Sequence, residues 1–252
     1  MRLPRVHNEY LLRRLAARLG VALVCDVGSF DGTHAKRFRQ AGLRVIAFEA
    51  NPHCYAALAA DRSIESAGIR VVNAAAWNKD ETVRFHVVTS AEKWRGSPRT
   101  SIGSVLERVP GFNLETYASV AVPAVRLDSA LAAETGPIAL WIDVEGAGHE
   151  VVEGIAGIRE RVAMINIEIE TQAFWQRQRL GADVVGSLRD LGFTPIARGP
   201  GGDLQFDLVF VNDRWLRAAP FTIRSCTVEA FCRLAASAVR ARVRRALSGA
   251  RA

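Results

Sequence analysis

No uninterrupted apolar run in the 252 residues approaches the roughly 20 needed to cross a bilayer. The N-terminus, with Pro4, His7 and Glu9 early, lacks a secretory apolar segment, so cytoplasmic residence is the expectation. Cysteine is scarce. Cys25, Cys54, Cys226 and Cys232 include no Cys-x-x-Cys pair and no matching His spacing, which points away from a zinc site and from a disulfide framework. Excess positive charge is missing from the body of the chain. The net charge of +7 falls on residues 217–252, with eight Arg and one acid (8 − 1 = +7), while residues 1–216 carry 25 basic and 25 acidic side chains. A groove that tracks nucleic acid needs clustered cations, so no nucleic-acid partner is expected.

What is present centres on Leu23 to Gly32, an apolar run ending in Asp26-Val27-Gly28-Ser29-Phe30-Asp31-Gly32. A strand that stops at two glycines and feeds a helical pattern, Thr33 to Gln40, reads as the first βα unit of a nucleotide-type sheet. Phe30 stands where a dinucleotide fingerprint wants its second glycine. Asp26 adds a fixed negative charge that would repel a pyrophosphate and attract a cationic ligand such as S-adenosylmethionine. Gly28, lacking a Cβ, would let that ligand approach the backbone. Glu49 ends the next apolar run, Arg44 to Phe48, where an acid can take ribose hydroxyls.

Further along, Leu11, Leu12, Leu15 and Leu19 recur at helical spacing behind Asn8, read as the cap of an N-terminal helix over residues 1–22. Pro52 opens a helix to about Arg62, and Ile69 to Asn73 is a third strand. Thr82 to Val88 alternates like a half-buried strand. Residues 89–119, broken by Gly96, Pro98, Gly103, Pro110 and Gly111, read as an irregular cap loop over the acceptor. There Trp94, Arg95 and Arg99 could hold a sugar or an acidic group, with a solvated loop as the alternative. Val122 to Leu127 is a strand leading to Asp128. Ile138 to Ile142, nearly all apolar, is a core parallel strand ending at Asp143. Val162 to Ile169 follows, then a final pair, Phe193 to Ala197 and Phe206 to Val211. A basic helix over Thr227 to Leu247 admits a peripheral contact with anionic lipid at the inner membrane face; a solvated or disordered tail is the alternative.

The chain resembles the FkbM family of S-adenosylmethionine-dependent methyltransferases. The loop is similar to that family's Asp-Val-Gly-Ala-Asn-x-Gly, Ala47-Phe48-Glu49-Ala50-Asn51-Pro52 to its Ala-Phe-Glu-Pro-Asn-Pro, and Ile142-Asp143-Val144-Glu145-Gly146 to its Ile-Asp-Val-Glu-Gly. The likeness spans roughly Val24 to Glu170. It implies a Rossmann-like α/β fold with a mostly parallel sheet and an antiparallel last strand. The methyltransferase domain would cover residues 23–216, followed by a basic helical tail over 217–252. It implies S-adenosyl-L-methionine held by Asp26, Gly28, Ser29, Phe30, Gly32, Glu49, Ala50, Asn73 and Asp143. Asp143, Glu145, His149 and Glu168 are the candidates for accepting or orienting the acceptor's proton, and no metal is assigned. Oxygen of a sugar, glycan or natural-product metabolite is the implied acceptor. An N-methyltransferase, or a non-catalytic adenosyl-ligand-binding or membrane-docking module of the same fold, is the alternative.

Overall fold

The structure, a computed structural model, describes residues 3–88, 93–94, 97–98, 102–110 and 117–249. Side chains at 93–94, 97–98, 200 and 241–249 lie outside that description, as do the whole of Arg95, Arg99, Thr100, Ser101 and the expected loop breakers Gly96 and Gly111. In chain order the elements begin with α1 (Asn8–Arg18), β1 (Leu23–Val27), α2 (Thr33–Gln40), β2 (Arg44–Phe48), α3 (Pro52–Ala60), α4 (Arg62–Ser66) and β3 (Arg70–Val72). Next come β4 (Ala75–Ala76), β5 (Glu81–Val88), β6 (Lys93–Trp94), β7 (Ser97–Pro98), β8 (Gly103–Ser104), β9 (Tyr117–Val125) and α5 (Leu127–Ala130). The remainder is β10 (Ile138–Ile142), α6 (Gly148–Glu153), β11 (Val162–Glu170), α7 (Gly181–Asp190), β12 (Phe193–Gly201), β13 (Gln205–Asn212), α8 (Asp213–Ala218) and α9 (Pro220–Gly249).

Seven strands form the main sheet in the order β12-β13-β11-β10-β1-β2-β3. All its pairings are parallel except those of β13, which runs against both β11 and β12. The fold is therefore a Rossmann-like, mostly parallel α/β sheet with its last strand reversed, as the family resemblance implies. Every residue of β1 and of β10 is buried, as central strands covered on both faces must be. Val24, Ala47 and Trp141 face a core packed by α1, α2, the Leu58 and Ile64 turns, and the start of α9. Cys25, Val27, Leu140 and Ile142 face the opposite core, closed by α5, α6 and α7.

The strands expected at Thr82–Val88 and Val122–Leu127 lie outside the main sheet. They pair with each other, in antiparallel register from Glu81↔Ala124 to Val88↔Tyr117, within a second sheet ordered β4-β9-β5-β8. Within the expected cap loop, β9 begins at Tyr117 and Gly103 pairs with Val87. The basic helix also starts earlier, at Pro220, and its first turns bury Ile223, Cys226 and Ala230 against α1. Glu229 fixes that contact through Arg14 (2.9 Å) and Arg18 (3.1 Å).

At the N-terminus His7, not Asn8, caps α1, its Nδ1 accepting from Tyr10 N–H at 3.3 Å. Asn8 instead donates to Asn166 Oδ1 (3.1 Å), and Asn166 donates to Asp207 Oδ1 (3.1 Å). Glu9 ties α1 to α2. Its carboxylate meets Arg37 at 2.8 Å, Arg13 at 3.2 Å and His34 Nδ1 at 3.4 Å. His34 in turn stacks on Trp141 with ring centroids 4.5 Å apart.

At the carboxyl ends of the strands, backbone contacts leave little room. Gly28 N–H donates to Phe48 O (3.0 Å) and Asp143 N–H to Val27 O (2.9 Å). A Cβ on Gly28 would lie 2.0 Å from the Asp143 carbonyl oxygen, and its φ is +82°. Glycine is required here by the neighbouring strand end.

Two outcomes test this packing. Gly28→Ala combines a left-handed backbone with a backbone collision and is expected to cost about 3 kcal/mol or more, read as a fall in the urea midpoint. An unchanged midpoint would contradict the contact. For Glu9, burial alone would raise the pKa, but His34 and Arg37 outweigh it and hold the group down to about 2. A depressed folded pKa gives stability that is present above the ordinary carboxyl value and lost as pH falls towards 2. Glu9→Gln is expected to flatten the acid limb of the stability profile by on the order of 2 kcal/mol; identical limbs in the two proteins would remove the pairing from the account.

Candidate functional site

A cleft opens at the carboxyl ends of β1, β2, β3 and β10, with about 600 Å³ of empty space including the solvent at its mouth. That size suits a small-molecule ligand. Gly28 and Phe30 come from the turn after β1, Glu49 to Asn51 from the end of β2, Ala74 to Ala76 from beyond β3, and Asp143 to Glu145 from the end of β10. Phe85, Gly103, Ser104 and Val105 of the second sheet's strands and loop form the far wall. Three carboxyl side chains line the cleft. No Lys, Arg or His does so among the described residues.

Glu49 is held by the chain's own backbone. Its Oε2 accepts from Phe30 N–H (2.7 Å) and its Oε1 from Asn51 N–H (2.8 Å). Burial raises its pKa, and these two N–H donors oppose the rise. Phe30 sits at φ +49°, a left-handed conformation uncommon for a bulky residue. The Glu49 contact helps hold that bend.

Asp143 and Glu145 differ in environment. The surrounding protein atoms, then the charge of Asp207, raise Asp143 to about 6 even though the residue is exposed at the cleft, so it ionises near neutrality. Burial, then the charge of Asp143, pushes Glu145 up to about 8, which leaves it protonated at pH 7. Ser104 Oγ donates to the Glu145 carbonyl at 2.5 Å, pinning the second sheet over this turn.

Of the expected donor-site residues, Gly28, Phe30, Glu49, Ala50 and Asp143 line the cleft. Asp26 does not. It is 1% exposed, accepts from Ser29 Oγ at 2.7 Å, and faces α2. The two-residue period of β1 decides this: Cys25 and Val27 point to one side of the sheet, Val24 and Asp26 to the other. Burial raises Asp26 to about 6 despite the Ser29 hydrogen bond. Ser29 is occupied by that bond, and Gly32 is the left-handed cap of α2, packed against Leu58 and Ile64. Asn73 donates to the Glu49 carbonyl (2.9 Å), one step behind the wall formed by the alanines that follow it.

Among the expected catalytic residues, Asp143 and Glu145 share the cleft; His149 and Glu168 do not line it. His149 is buried on α6 with Ser187 Oγ at 3.1 Å. Glu168 accepts from Gln205 Nε2 (2.8 Å), and burial together with the charge of Asp143 raises it well above the ordinary range. Trp175 is fully buried, its ring filling the space a Cβ on Gly146 would need. Gln176 N–H donates to Glu107 O at 2.7 Å, so this segment packs rather than lines the cleft. Among the described residues no group of three His, Cys, Asp or Glu is placed to hold a metal ion.

Sequence reading did not find Asn51, Phe85, Val105 or Ala147 as cleft residues, nor Cys54, whose thiol burial pushes up to about 12. The Pro52 helix start carried the one available signal, because the residue before such a proline caps the helix and here faces the cleft.

A model of the methyltransferase FkbM domain matches residues 26–195, more than half of the chain. No curated protein sequence matches it. Among solved structures the chain is similar to the magnesium protoporphyrin IX methyltransferase of Synechocystis PCC 6803 with bound SAM. Identity there is 14%, with 81% of this chain and 79% of that one covered and a TM-score of 0.43. It is also similar to a TehB-like SAM-dependent methyltransferase of Corynebacterium glutamicum, at 11% identity, 81% and 88% coverage and a TM-score of 0.41. The bifunctional kinase-methyltransferase WbdD gives 9% identity and a TM-score of 0.43, with 81% of this chain and 38% of that one covered. The matched segment contains the glycine turn, Glu49 and the Asp143 turn, and the chain belongs to the methyltransferase FkbM domain family.

Proposed function

We propose that the cleft binds S-adenosyl-L-methionine and that the protein methylates a hydroxyl oxygen on a sugar, glycan or natural-product metabolite. One observation carries the reading: three carboxyl groups and no cation line the cleft among the described residues, so it attracts a cation and repels phosphate. The remaining walls, Phe30, Phe48, Phe85 and small alanines, suit a flat apolar base. S-adenosyl-L-methionine, when bound, supplies an electrophilic methyl group on a sulfonium.

The chain's own residues do the rest. Each Glu49 oxygen spends one lone pair on a backbone N–H and keeps another for a ribose hydroxyl. Asp143, charged near neutrality, takes the proton of the acceptor hydroxyl as its oxygen attacks. Glu145, protonated, donates a hydrogen bond and adds no further negative charge to those of Glu49 and Asp143. Asp26 acts indirectly, tying Ser29 and so the shape of the glycine turn. His149 and Glu168 have no part in proton transfer in this scheme.

Two substitutions test the assignments. Glu49→Ala is expected to weaken S-adenosylhomocysteine binding at least tenfold, on the order of 1.4 kcal/mol, in titration calorimetry. Equal affinity would take Glu49 out of the donor site. Asp143→Asn is expected to lower kcat/KM by roughly 10²- to 10⁴-fold and to abolish a rise in rate as pH climbs through about 6. A variant that keeps that ascending limb would show the base to be another group.

A further inference from the structure

We infer that α9 docks on an anionic membrane surface through the face it turns away from the core. At 100° per residue, Ile223, Cys226 and Ala230 fall on one side of the helix and are buried. Phe221, Val228, Phe231 and Val239 fall on the other side and are 85%, 54%, 51% and 59% exposed. Of the large apolar side chains exposed among the described residues, only Leu204 lies elsewhere. The helix is thus apolar on two opposite faces, and the fold uses one. Its charge supplies the second half of the argument. Residues 217–252 carry eight Arg and one acid, and that acid, Glu229, is already paired with Arg14 and Arg18. Arg224, beside the apolar stripe, and Arg240, towards the helix's far end, are exposed.

An apolar stripe bearing phenylalanines, with Arg224 beside it and on a segment of net positive charge, matches the acyl boundary and headgroups of an anionic leaflet. A second copy of the chain fits less well, because residues 217–252 carry eight Arg and one acid in each copy, and two such segments repel. Among the described residues no helix is long and apolar enough to cross a membrane, so the contact is one of lying on the surface.

Vesicle flotation of the full chain is the test. The protein is expected to float with vesicles containing phosphatidylglycerol, to stay behind with pure phosphatidylcholine, and to be released as salt rises to about 0.5 M. The double variant Phe221→Ser, Phe231→Ser is expected to bind the anionic vesicles at least tenfold more weakly, with an unchanged circular dichroism spectrum and unchanged S-adenosylhomocysteine binding. Leu204→Ser is expected to bind like the parent. Three results would overturn the inference: no binding to anionic vesicles, equal binding to both lipids, or a concentration-dependent dimer in light scattering that the double variant dissolves.

Discussion

Carboxyl groups in a shared cleft repel one another, and taking them out of water disfavours their charged forms. Glu49, Asp143 and Glu145 meet both conditions around one empty space, with no basic side chain on its walls among the described residues. The strain is spread over different devices. Two backbone N–H groups stabilise the charge on Glu49. Asp143 is wetted by the cleft, and Glu145 takes up a proton. A ligand bearing positive charge offsets the charge that remains on Glu49 and Asp143, which links a cationic ligand to the electrostatics of the strand ends.

The surroundings hold those strand ends in place. Parallel pairing of β2, β1 and β10 sets their carboxyl ends side by side, and the second sheet closes over them through Phe85 and the Ser104 contact to the Glu145 carbonyl. On the far side of the main sheet, α1 packs through its leucines while Glu9 and Asn8 spend their polar groups on Arg37, His34 and Asn166. The stacking of His34 on Trp141 extends that layer to β10, directly before Asp143. The helix that precedes the sheet in sequence therefore braces the site without entering it.

Much of this was legible from the residues. β1, β2, β10 and β11 announce themselves as apolar runs, and the acids that end β2 and β10 do line the cleft. Asp26 was misread because β1 is buried on both faces: without alternation of polarity, nothing in the chain says which way a side chain points. The second sheet was hidden for another reason. The alternation of β5 is visible, but its partner lies beyond residues 89–116, and local pattern carries no information about which strand it will pair with. The docking of α9 was obscured by its two apolar faces, which blur the single-sided period by which a surface helix is recognised. Arg95 and Arg99, the expected acceptor contacts, lie outside the described residues, and so does the Trp94 side chain.

The bend at Phe30 binds two distant positions into one unit of sequence change. A bulky side chain at φ +49° draws on the hydrogen bond from its own N–H to Glu49, 19 residues downstream. Swapping the acid for a residue without a side-chain acceptor removes the support and leaves the unfavourable dihedral behind, whereas glycine at position 30 would tolerate the angle unaided. The side chain at 49 and the backbone angle at 30 are therefore coupled through a single hydrogen bond, and a change at either one alters what the other position can accept.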